Sequence, residues 1–211
     1  MPRTKQSLEQ LQQLRRQQIL KNSLRLFAIK GYDATSVNDI AASIGFSHGL
    51  IYHYFSDKEE IFTTLLDQSL ALGYLPLFPQ LSSEQLANPL TTLKQIVTHI
   101  YDELEREDSD FGYYFYLFLN MRFQKTAPAP RFKVPQKEQR PFGIIVRLIE
   151  AGQRLGVFGS GDARDIAVLF FASMRGLTYA KLNSESKFAL PSINSLMNIF
   201  IGKAVTNAET A

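Results

Sequence analysis

Apolar residues return every three or four positions along most of this chain, and no stretch alternates with period two for long enough to read as a strand. "RRQQILKNSLRLFAIKG" sets Ile19 or Leu20, Leu24 and Phe27 on one helical stripe and halts at Gly31, a residue suited to the turn that ends a helix. Upstream, Leu8, Leu11 and Leu14 continue the helical spacing through a Gln-rich extension. "SVNDIAASI" carries Val37, Ile40, Ala41 and Ile44 on one face, and Ser36 with Asp39 three residues on forms a variant capping box that signs the helix start. "SDKEEIFTTLLDQSLALGYL" opens with Ser56 and Glu59 in a second box and runs to Pro76. Further periodic segments lie at about 89–106, 109–125, 139–156, 162–181 and 191–205. The expectation is an all-α fold of about nine helices, interrupted by an extended loop in "TAPAPRFKVPQKEQRP" with its four prolines.

Composition narrows the chemistry. The chain has 211 residues, 45% of them hydrophobic, and no cysteine, which removes disulfides, thiolate metal sites and cysteine catalysis. No segment approaches the ~20 apolar residues of a membrane span, so a soluble, cytoplasmic protein is expected. The net charge of +3 is unevenly spread: residues 1–56 hold seven Lys and Arg against three acids, and the remainder sums to −1. A basic N-terminal quarter on a near-neutral body suits a polyanionic partner.

"GFSHG", Gly45 to Gly49, matches the G-x-S-x-G of a hydrolase nucleophile elbow, but the elbow needs a strand before it and here a helical face precedes it. The chain has three histidines, His48, His53 and His99, and none follows late enough to complete the usual serine, acid, histidine order. A helix-turn-helix accounts for the same residues. Ala41 allows close crossing, Gly45 turns the chain, and Ile40, Ile44, Phe46, Ile51 and Tyr54 fill the buried positions. Ser47 then becomes the N-cap of the second helix. Burying Leu50, Ile51, Tyr54 and Phe55 leaves Ser47, His48, Gly49, Tyr52 and His53 facing out, a surface suited to nucleic acid. His48 and His53 lie about 140° apart around a helix and do not converge on one metal. His99 and Glu103 read as an exposed pair.

In "LFAIKGYDATSVNDIAASIGFSHGLIYHYFSDKEEIF" the sequence resembles the tetracycline-repressor (TetR) family of transcription regulators, through "GYDATSVNDIA", "GFSHGLIYHYF" and "DKEEIF" in that order and spacing. His48 stands where the family commonly has lysine. The resemblance implies an N-terminal DNA-binding domain, residues 1–56, and a helical effector-binding and dimerisation domain, residues 57–211. It implies that Ser47 to Tyr54 enters the major groove of a double-stranded operator, with Ser36, Tyr52, Tyr54 and Lys58 on phosphates.

The body adds two features. "FGYYFYLFLNMRF" is apolar or aromatic around almost its whole circumference, as befits a core helix or one that also lines a cavity. The resemblance favours a cavity for a small apolar or aromatic effector, with Tyr113, Tyr116 and Asn120 as polar contacts. "ARDIAVLFFASMRGLTYAKL", capped by Asp162, carries Ala172, Gly176 and Ala180 in a small-residue stripe with a second apolar face opposite. Together with "INSLMNIFI", including Ile193, Leu196 and Phe200, it has more apolar surface than one subunit covers, and a homodimer is expected there. No metal or cofactor is implied. The reading is a ligand-responsive DNA-binding transcriptional regulator, a repressor that a small apolar or aromatic effector releases from its operator; the alternative is an all-helical binding or catalytic protein with a motif-like N-terminus and no DNA role.

Overall fold

The computed structural model describes residues 5–71, 81–106, 109–121, 141–184 and 188–202. The described residues form ten helices and one isolated β-bridge. They divide into two compact units, Met1–Leu72 with Tyr113–Phe132, and Gly73–Gly112 with Lys133–Ala211. The expected loop of residues 126–140 and the end of the helix expected to reach Pro76 lie outside the described residues.

The first unit contains α1 (Lys5–Lys30), α2 (Val37–Ile44), α3 (His48–Tyr54), α4 (Lys58–Ala71) and most of α7 (Phe111–Met121). The Gln-rich extension belongs to α1, which is one helix of 26 residues. Its apolar stripe Ile19, Leu20, Leu24 and Phe27 is buried and faces α2 and α4, whereas Leu8 and Leu14 are exposed. Ile61, Phe62, Leu65 and Leu66 of α4 complete that core, with Phe27, Tyr32 and Phe62 in mutual ring contact. Burying apolar side chains is the driving force here, and the charged faces of the helices are left to solvent.

The start of α4 differs from the capping box expected at Ser56 and Glu59. Asp57 accepts the Glu60 N–H at 2.7 Å, and the Glu60 carboxylate accepts the Ser56 N–H at 2.7 Å, so both roles shift by one residue. Aspartate is at least as good an N-cap as serine, and with both available the backbone chose Asp57.

The second unit contains α5 (Ser83–Ala87), α6 (Pro89–Glu105), α8 (Pro141–Arg154), α9 (Ala163–Asn183) and α10 (Ile193–Met197). Helix α8 packs on α6 and α9, and α10 packs on α6. Asp162 caps α9, its carboxylate accepting the N–H groups of Arg164 and Asp165. Of the long helix expected over 191–205, the described residues, which end at 202, form the five-residue α10 followed by a turn. Its continuation leaves the helical path because Gly202 N–H donates to Val157 C=O and Gly159 N–H donates to Phe200 C=O, pairing the chain with the α8–α9 connection around the Phe158–Ile201 bridge.

Candidate nucleic-acid interface

The geometry begins with two caps and one turn. The Ser36 hydroxyl accepts the Asp39 N–H at 3.1 Å while the Asp39 carboxylate accepts the Ser36 N–H at 2.8 Å, closing the box that starts α2. Hydrogen bonds from the Ser36 hydroxyl and then its N–H hold the Asp39 carboxyl below the ordinary aspartate range. Gly45 ends α2 in the left-handed region at φ 67°, where a side chain would strain the backbone. The Phe46 N–H donates to the Ala41 carbonyl at 3.0 Å, and Ser47 restarts the chain as the N-cap of α3 by accepting the Leu50 N–H at 3.2 Å. Ala41 is buried at the crossing of α2 with its neighbours.

With that frame set, Ile51 and Phe55 are buried, and Leu50 and Tyr54 are half-buried. Ser47, His48, Gly49, Tyr52 and His53 are all exposed, together with the N-cap Ser36. The outward set holds hydroxyls, imidazoles and a glycine without a Cβ to mask its backbone, groups that donate to phosphates and base edges. The His48 and Tyr52 rings meet edge to face at 4.8 Å, as do His53 and Tyr54 at 5.1 Å, which limits the rotamers of this face.

Lys58 stands apart from this surface. Its ammonium donates to the carbonyls of Tyr32 and Thr35, each at 2.8 Å, so two of its three donors point back into the protein. A cleft of about 390 Å³ beside α3 is lined by Glu9, Gln12, Gln13, Arg16, His53 and Tyr54. Glu9, Gln12 and Gln13 belong to the Gln-rich extension of α1 and Arg16 to the helix proper; the sequence places the N-terminal arm in the DNA-binding domain through its basic charge, but singles out none of these four residues. The available signal was the unbroken helical spacing through Leu8, Leu11 and Leu14, which carries those polar residues toward α3. Arg16 is fixed there with its guanidinium 4.5 Å from the centre of the Phe55 ring.

The expected effector contacts fall on α7 within the first unit. Tyr116 is buried, and Tyr113 and Asn120 are half-buried. The Arg25 guanidinium lies 5.3 Å from the centre of the Tyr113 ring. In the second unit, exposed residues on α9 include Val168 and, spaced three or four apart, Leu169, Ala172, Gly176 and Tyr179, with Ala180 half-buried at the margin. Ile193 is half-buried, but Leu196 and Phe200, expected at a dimer interface, lie in the core of their own unit, where Phe200 meets Phe170 edge to face at 5.9 Å. Leu196 is buried on α10, which packs on α6, and the reversal of the chain after α10 turns Phe200 inward and leaves Ile199 exposed. Among the described residues no group of three or more His, Asp or Glu side chains is placed to hold a metal ion, and no helix is long and apolar enough to cross a membrane.

Comparison with known proteins places this geometry. Residues 19–65 match the family model for bacterial regulatory proteins, tetR family. The chain is 30% identical over 131 residues to the HTH-type transcriptional regulator AcrR of Shigella flexneri, an alignment covering 59% of this chain and 55% of that protein. It is 30% identical over 138 residues to the HTH-type transcriptional repressor KstR2 of Mycobacterium tuberculosis, covering 63% and 64%. The matched stretches therefore span between about half and just under two thirds of these relatives. Two solved structures share the fold: the ketosteroid transcriptional regulator KstR2 of Mycobacterium tuberculosis, with a TM-score of 0.58 at 20% identity over 89% of this chain and 95% of that one, and AibR in complex with isovaleryl coenzyme A and operator DNA, with a TM-score of 0.59 at 16% identity over 87% and 94%.

Proposed function

We propose that this chain, which belongs through residues 19–65 to the TetR family of bacterial regulatory proteins, is a homodimeric transcriptional repressor that a small apolar or aromatic effector releases from operator DNA. The observation that carries the reading is the exposed face of α3: Ser47, His48, Gly49, Tyr52 and His53 project together from a helix whose start is capped and whose inner face is buried. A short helix anchored in this way fits a major groove with its N-terminal residues toward the bases, while Ser36 and Tyr52 reach phosphates. The names of similar proteins, a repressor and a regulator, support the activity.

On this reading residues 1–56 meet DNA and residues 57–211 serve dimerisation and the effector. Tyr113, Tyr116 and Asn120 are the proposed effector contacts, and the exposed stripe of α9 with Ile193 and Ile199 is the proposed dimer surface. A ligand alters DNA affinity only by its differential affinity for the bound and free states, commonly about 1 to 3 kcal/mol. The direct experiment is selection of duplexes from a random pool by the full chain. Wild type should enrich a two-fold symmetric sequence, and Tyr52→Ala should bind it at least ~10-fold more weakly with unchanged thermal stability, since a lost phosphate or base contact is worth about 1 to 3 kcal/mol. Failure to enrich any sequence would overturn the reading.

A further inference from the structure

One peptide unit at the base of α2 is held from both sides. Its carbonyl, that of Thr35, accepts a hydrogen bond from the Lys58 ammonium at 2.8 Å, and its N–H, that of Ser36, donates to the Asp39 carboxylate at 2.8 Å. The same ammonium also bonds the Tyr32 carbonyl at 2.8 Å and lies 4.2 Å from the centre of the Tyr32 ring. That ring rests on Phe27 and Phe62, at 5.6 and 4.7 Å between centres, so the anchor is tied to the core of the first unit. Thr35 is itself buried, its hydroxyl donating to the Gly31 carbonyl at 2.7 Å. A cation meeting two carbonyl dipoles and a ring face, at a half-buried site, makes charge-assisted contacts that a solvated side chain does not.

Lys58 begins α4, more than twenty residues along the chain from the turn it holds, so no local rule of helix or turn formation supplies this link. Resting on the DNA-binding reading above, we infer that Lys58 is a positioning residue, which sets the Thr35–Ser36 peptide and with it the N-terminus of α2 and the Ser36 side chain, and is not itself a phosphate ligand. Orientation of the turn fixes where the Ser36 hydroxyl stands. Displacing the ammonium onto a phosphate would take the donor from the Thr35 carbonyl and leave the Tyr32 carbonyl only the longer bond from the Thr35 N–H, at 3.3 Å, which opposes such a move.

Three measurements on the full chain test this. In the free protein, Lys58→Met should speed amide hydrogen exchange at Ser36, Asp39 and Ile40 by about tenfold, while Lys58→Arg, which still donates to carbonyls, restores protection. Unchanged exchange in the Met variant overturns the inference. In the unaltered protein, an amine-acylating reagent should label Lys58 roughly tenfold more slowly than the exposed Lys30, with no added protection from DNA; labelling at the Lys30 rate, or protection by DNA, overturns it. The third readout is the salt dependence of binding to a duplex selected by wild type. A phosphate ligand removed lowers the slope of log affinity against log salt by about one, whereas a lost positioning contact weakens binding with the slope unchanged. A slope lowered by about one in Lys58→Met overturns the inference. Should no duplex be selected, the DNA-binding reading has failed, and the exchange and labelling results still decide whether Lys58 holds the turn.

Discussion

At the residue scale, the site depends on carboxylates used as backbone acceptors. Asp39 is depressed by the Ser36 hydroxyl and N–H, and Glu60 is depressed chiefly by the Ser56 N–H that it accepts. A group whose folded pKa lies below its unfolded value contributes stability above the unfolded value, near 3.9 for aspartate, and loses it as pH falls through the folded value. Acidification below about pH 4 should therefore loosen the starts of α2 and α4. Chemical denaturation of wild type and Asp39→Asn between about pH 5.5 and 3 checks this: the advantage of wild type should shrink toward the acid end. A gap that stays constant or widens on acidification would show that the box carries no such linkage.

At the scale of elements, close packing of α8 against its own C-terminal connection gives a sharp prediction. A Cβ placed on Gly152 would fall 2.0 Å from the Phe158 ring, which is buried and adjoins the bridge to Ile201. Gly152→Ala should lower stability by about 1 to 3 kcal/mol, and Phe158→Ala in the same chain should cost less than it does alone, because neighbours in contact are not additive. Additive losses in that cycle would place the strain elsewhere. The sequence made α2 and α3 readable because period, cap and turn residue coincide within eighteen residues: Ser36, Gly45 and Ser47 each do what their type favours. The exposed set on α3 follows from the same periodicity. Two features were not legible. The inward turn of Phe200 goes with hydrogen bonds between residues 157–159 and 200–202, the burial of Leu196 goes with the packing of α10 on α6, and the hold of Lys58 on the α1–α2 turn joins residues 23 and 26 positions apart. Helical periodicity carries no information at such separations.

At the scale of the whole molecule, the proposed dimer and its operator make one claim. Gly176 faces open space in its own subunit, with nothing within 4 Å of an added Cβ, so Gly176→Leu should leave the subunit fold intact while pushing a long side chain into the helix contact across the two-fold axis. Sedimentation at low concentration should show more monomer than wild type; an unchanged monomer fraction would remove α9 from the interface. Two α3 helices related by that axis would then meet two half-sites about 34 Å apart, one turn of B-DNA. Footprinting the wild-type chain on the DNA flanking its own gene measures this directly. One protected, two-fold symmetric site with half-sites one helical turn, or a whole multiple of it, apart is expected, with protection lost in Tyr52→Ala; binding spread evenly along the fragment, or no protection, would rule out the proposed dimer on its operator.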